Sequence, residues 1–107
     1  MAFADTLRQL PPATHLAALH LLDDTGAVLA TIPNQAGRLG SLTVYAALAA
    51  KHGSINVAAA TEGLALFAEH TDDARQHPGK HPNIDRLFAV IESGQALQVR
   101  LEPAAAV

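Results

Sequence analysis

The stretch H-L-A-A-L-H-L-L-D-D-T-G-A-V-L-A-T-I (His15–Ile32) decides the fold. Two apolar segments, His15–Leu22 and Ala27–Ile32, flank Asp-Asp-Thr-Gly, which supplies turn formers and a glycine that tolerates positive φ. That arrangement predicts a β-hairpin. Only His15 and His20 interrupt the apolar first strand, so it is expected to be covered on one side and partly on the other. H-L-A-A-L-H-L-L could also form a short helix, which stands as the alternative to the strand.

Working outward, A-L-Q-V-R-L-E (Ala96–Glu102) alternates strictly. Leu97, Val99 and Leu101 are expected inward, with Gln98, Arg100 and Glu102 outward, as in a half-solvated strand. Between hairpin and strand the spacing turns helical. Ser41 is a candidate N-cap for a helix from Leu42 to His52 that ends at Gly53, with Leu42, Tyr45, Ala46 and Ala49 on its core face. Ser54 or Asn56 can cap a long helix from about Asn56 to Arg75, rich in Ala, Leu and Glu. Pro78 ends it. Asn83 is expected to cap a last helix whose Ile84, Leu87, Phe88 and Ile91 form a buried face, broken at Ser93-Gly94. Phe3, Leu7 and Leu10 mark a short N-terminal helix stopped by Pro11-Pro12.

The expectation is an α+β domain: a small, mainly antiparallel three-stranded sheet, hairpin plus C-terminal strand, packed on one face by three to four helices. The domain spans residues 1–102, and 103–107 form a flexible Ala-rich tail.

Composition narrows the function classes. In 107 residues, 50% are apolar and 16% charged, so a buried core is expected and disorder is not. A net charge of −3 and four scattered aromatics give neither a basic face nor a stacking platform for nucleic acid. The longest apolar run, Leu42–Ala50 with Thr43 inside it, is too short for a membrane span. The chain has no cysteine, which excludes disulfides and thiolate chemistry and fits a reducing compartment. M-A-F-A-D-T-L-R has no secretory pattern, so a cytoplasmic location is expected.

Chemistry concentrates in E-H-T-D-D-A-R-Q-H-P-G-K-H-P-N-I-D-R (Glu69–Arg86). These eighteen positions hold seven of the seventeen Asp, Glu, Lys and Arg residues and three of the six histidines. His70 and Asp73 share a helix face, and His77 and His81 follow just beyond its end. Imidazole and carboxylate together suit a divalent metal such as zinc, iron or nickel, although the spacing matches no specific signature and names no cofactor. The plainer alternative pairs Asp72 and Asp73 with Arg75 or Lys80, and lets the histidines hold an irregular loop. Lys80, with His77 and His81, precedes a helix start at Asn83 whose free amides suit a phosphate or carboxylate. A second anion seat is G-R-L-G-S (Gly37–Ser41), between a strand and a helix, where Arg38 can clamp an anion while Gly37 and Gly40 let the backbone approach and Ser41 caps the helix. Glu69, His70, Asp73 and His81 are candidate acid/base groups, without a pattern that specifies a reaction.

Two resemblances add to this. I-P-N-Q-A-G-R-L-G-S-L-T-V-Y-A-A-L-A-A-K-H-G-S-I-N (Ile32–Asn56) and E-G-L-A-L-F-A-E-H-T-D-D-A-R-Q-H-P-G-K-H-P-N-I-D-R-L-F (Glu62–Phe88) resemble a small bacterial family known only as a domain of unknown function. That resemblance implies a bacterial, single-domain protein and brings no site residues. I-P-N-Q-A-G-R-L and H-G-S-I-N are also similar to the rhythm of ACT regulatory domains, which bind amino acids, although Gln35-Ala36 stands where the usual proline is missing. This similarity implies two strands between Val57 and His70 and a ligand site around Gly37 at a subunit interface. The combined expectation is a non-catalytic binding or interaction module with its site at the 69–86 loop. Its partner would be a small anionic ligand, a protein or a second copy of the chain, with metal binding and ACT-like regulation as alternatives.

Overall fold

The computed structural model describes residues 2–104. Along them run α1 (Phe3–Gln9), β1 (Leu16–Leu22), β2 (Val28–Pro33), α2 (Leu39–His52), α3 (Val57–Leu66), α4 (Glu69–Gln76), α5 (Pro82–Ser93) and β3 (Gln98–Pro103). The strands form one open antiparallel sheet in the order β2-β1-β3, an α+β arrangement.

Turn chemistry fixes the hairpin. The Asp23 carboxylate accepts hydrogen bonds from the Thr25 hydroxyl at 2.6 Å and from the amides of Thr25 and Ala27, while Gly26 takes φ 88°. The Thr25 hydroxyl is the main reason the Asp23 carboxyl ionises below its usual range. Paired on both edges, β1 is the central strand, which accounts for its nearly continuous apolar character. On the open face, His20 bridges the sheet, with Nδ1 at 2.8 Å from Thr31 Oγ1 and Nε2 at 3.1 Å from Glu102 Oε1.

On the other face, Leu19, Leu21 and Ile32 bury against Leu42, Tyr45 and Leu48 of α2. α2 packs on β1 and β2, and α3 packs on both α2 and α5. Ala59, Ala60 and Gly63 are the small residues that permit this close stacking. A Cβ at Gly63 would lie 2.8 Å from Leu87 Cδ1 and 2.9 Å from Leu48 Cδ1, both fully buried.

Several local expectations are corrected. The long helix is two helices, α3 and α4, separated by Phe67 and by Ala68 at φ 52° and ψ −121°, which brings the described helices to five. Helices also occupy the segment that an ACT arrangement would need as two strands. α2 starts at Leu39, three residues early, so Arg38 is the N-cap residue and Ser41 lies within the first turn. Pro82, with its preset φ, opens α5, which leaves Asn83 inside the helix and His81 at the cap. On α5 Val90 is buried while Ile91 is exposed, and Leu101 on the edge strand β3 is 46% exposed because β3 packs mainly on β1. β3 continues through Pro103, and the Ala104 amide donates to the His15 carbonyl. The remaining tail residues, 105–107, lie outside the described residues. No described helix is long and apolar enough to cross a membrane.

The stacking of α3 between Leu48 and Leu87 leaves no room for a branched side chain. Gly63→Val is expected to destabilise the fold by about 1–3 kcal/mol through overpacking, read by urea unfolding. An unchanged midpoint would mean that α3 does not approach α2 and α5 as closely as this.

Candidate functional site

The site begins with the way α4 is redirected. The amide of His70 donates to the Phe67 carbonyl, closing a tight turn, and the Thr71 hydroxyl donates to the Leu64 carbonyl at 2.5 Å. Phe67 is thereby buried, and the ring of Phe3 from α1 stacks on it at a 5.4 Å centroid distance. His70 meets the same Phe3 ring edge-on at 5.0 Å. The Glu69 carboxyl is held below its usual range first by its own backbone amide and second by that of Phe3, which donates to Oε1 at 2.6 Å. At the other end of this contact, a Cβ at Gly40 would stand 3.0 Å from the Phe3 ring and 3.5 Å from Leu7 Cδ1. Gly40 thus lets α1 lie close over the start of α2.

From α4, Asp73 reaches across to the loop before α5. Its Oδ2 accepts from His81 Nε2 at 2.6 Å and from Lys80 Nζ at 2.9 Å, and His77 Nε2 stands 3.9 Å from its Oδ1. The His81 hydrogen bond first, and that of Lys80 second, hold the Asp73 carboxyl down to about 2. Asp85 turns back onto the same loop, its Oδ2 accepting from the Gly79 amide at 3.0 Å. On the far side, Tyr45 is fully buried in α2 and its hydroxyl donates to the Asn83 carbonyl. Burial pushes the Tyr45 hydroxyl well above its usual ionisation, with the Arg86 charge opposing in part, so it remains a donor.

These tethers place the two anion seats read from the sequence around one cavity of about 440 Å³. Arg38, Gly40 and Ser41 line it from the start of α2, and Lys80 and Asn83 from the loop and the start of α5. Phe3, Leu7, Phe67 and Ile84 supply an apolar wall, and no Asp or Glu lines it. No side chain caps the first amides of α2, and the Arg38 guanidinium has no hydrogen-bond or ion-pair partner among the described residues.

Of the four residues considered for a metal, His81 and His77 gather on Asp73, and the His70 ring stands 5.5 Å from that of His81. Lys80 occupies the same carboxylate. Among the described residues, no group of three or more His, Asp or Glu side chains is placed to hold a metal ion. The Asp72–Arg75 pair at 3.1 Å and the Asp73–Lys80 pair are the ones the sequence suggested. Sequence reasoning missed Phe3 and Phe67 as parts of the site. The available signal was the scarcity of aromatics, since these are two of four in the chain.

Fold and cavity together describe a small α+β protein with a recessed, carboxylate-free cavity between α1, α2 and α5. Residues 3–101 match the model of a family described as "uncharacterized protein conserved in bacteria (DUF2322)", and the chain belongs to that family. It matches no curated protein and no solved structure.

The Asp73 clamp has a defined pH dependence. Its folded pKa lies below the usual 3.8, so the stabilisation is complete above that value and is lost as pH falls through about 2. Asp73→Asn is therefore expected to be less stable than the parent at neutral pH, with the gap narrowing as both are acidified toward that range. Thermal unfolding across a pH series measures this, and a gap independent of pH would contradict the clamp.

Proposed function

We propose that this protein is a non-catalytic binding module for a small anionic ligand, seated in the cavity between α1, the start of α2 and the 80–84 loop. One observation carries the reading. Residues from both seats, Arg38, Gly40 and Ser41 on one side and Lys80 and Asn83 on the other, line a single recess without a carboxylate. Ten Asp and Glu residues in a chain of net charge −3 make such a recess a distinct local environment. Arg38 offers a planar set of donors suited to a carboxylate or phosphate, and the uncapped amides of α2 add favourable dipoles. The apolar wall of Phe3, Phe67 and Ile84 favours a ligand with some hydrocarbon or aromatic body. A chain without cysteine suits a reducing, cytoplasmic setting for this module.

Metal binding is less well supported for a physical reason. The Lys80 ammonium and the His81 imidazole already hydrogen-bond Asp73 Oδ2, so a cation would have to displace both. Of the candidate acid/base groups, His70 and His81 line the cavity while Glu69 and Asp73 do not, and His81 Nε2 is already taken up by Asp73, so the lining supports binding more directly than proton transfer.

Benzoate and inorganic phosphate are suitable first probes. A ligand at about 100 times its Kd adds about 2.7 kcal/mol to stability, which fluorimetry reads as a rise in Tm. The expected result is a rise with at least one probe that Arg38→Ala abolishes. No rise with either, or an equal rise in the variant, would refute the assignment.

A further inference from the structure

Beside the cavity lies a second recess of about 370 Å³, and Arg38, Pro82 and Asn83 line both. Its other walls include Thr31, Gln35 and Arg86, and again no Asp or Glu. The Arg86 guanidinium is oriented by a hydrogen bond to Asn83 Oδ1 from one nitrogen, which leaves its other donors uncommitted among the described residues. Two arginines, Arg38 and Arg86, therefore line one small recess that no carboxylate lines. Like charges held in this way repel, and an anion between them converts the repulsion into two charge-assisted sets of hydrogen bonds. Taken together, the two recesses hold three of the chain's seven Lys and Arg residues and none of its ten acids.

The geometry points to a second anionic subsite in this recess, formed by Arg38 and Arg86, so that the protein's ligand is a small molecule with two acid groups joined by a short, partly apolar body. This assignment rests on the binding function proposed above and specifies its ligand class. One acid group sits among Arg38, Lys80 and the first amides of α2. The hydrocarbon body runs past Pro82, and the second acid group is held between Arg38 and Arg86. Gln35 provides a further polar partner in the second recess.

Calorimetric titration of the full chain with matched chain-length series tests it. The probes are alkanoates against α,ω-alkanedioates, and alkyl phosphonates against α,ω-bisphosphonates, which distinguish carboxylate from phosphate-like head groups. At one chain length the two-headed probe is expected to bind at least about tenfold more tightly than its one-headed partner, as an added charge-assisted contact implies. Arg86→Gln should remove that advantage and leave one-headed binding unchanged, while Arg86→Lys keeps part of it. If one-headed probes bind in an Arg38-dependent way but two-headed probes gain nothing at any length, the second subsite is refuted and the binding module stands. An Arg86→Gln variant that weakens both kinds of probe equally also refutes the subsite. Binding by neither series would overturn both.

Discussion

The chain turns at Ala68 with φ 52° and ψ −121°, values that a type II′ turn gives to its first central residue and that glycine adopts most freely. Holding alanine there costs on the order of 1–3 kcal/mol. Burial of the Phe67 side chain, worth about 2 kcal/mol, and the Thr71 hydroxyl bond to Leu64, worth about 1 kcal/mol, offset that cost. The turn has three consequences for the site. It brings Phe67 to the Phe3 ring, it presents Glu69 to the Phe3 amide, and it sends α4 off in a direction from which Asp73 meets Lys80 and His81. An uninterrupted helix would provide none of these.

The second half of the site is fixed from α2. Tyr45 spans the interior with its ring in the core and its hydroxyl on the Asn83 carbonyl, so the start of α5 is pinned beside the start of α2. A buried hydroxyl left without an acceptor would cost more than the bond gains, which makes this a positional constraint as well as a contact. Between the Asp73 clamp on one side and Tyr45 on the other, the 80–83 segment has little freedom. The cationic cavity is what lies between that segment and Arg38.

Much of the fold was legible in the sequence, for identifiable reasons. The Asp23–Gly26 turn is strong local chemistry from which the hairpin followed, and the C-terminal strand followed from the strict alternation of Ala96–Glu102. Asn56, whose side chain accepts from the Ala59 amide, is a cap of the expected kind. Errors arose where the caps were atypical. Arg38 and His81 stand at N-cap positions with no side-chain bond, so Ser41 and Asn83 drew the assignment instead. The break at Ala68 left no trace, because a left-handed alanine is imposed by tertiary contacts. The site was legible in pieces. Arg38, Gly40, Ser41, Lys80 and Asn83 could each be singled out by residue type and by nearness to a helix start. Their meeting in one recess depends on Tyr45, which reads in sequence as part of a helix core face, and on Phe67, which reads only as one of four scattered aromatics.

The turn at Ala68 can be tested by the sign of a single stability change. Within a continuous helix, Ala68→Gly would destabilise the protein by about 1 kcal/mol. At a left-handed position the same substitution relieves strain and is expected to stabilise it by about that amount. Equilibrium urea unfolding of Ala68→Gly beside the parent distinguishes the two. A higher midpoint is the result this structure requires, and a lower one would contradict the turn on which the site is built.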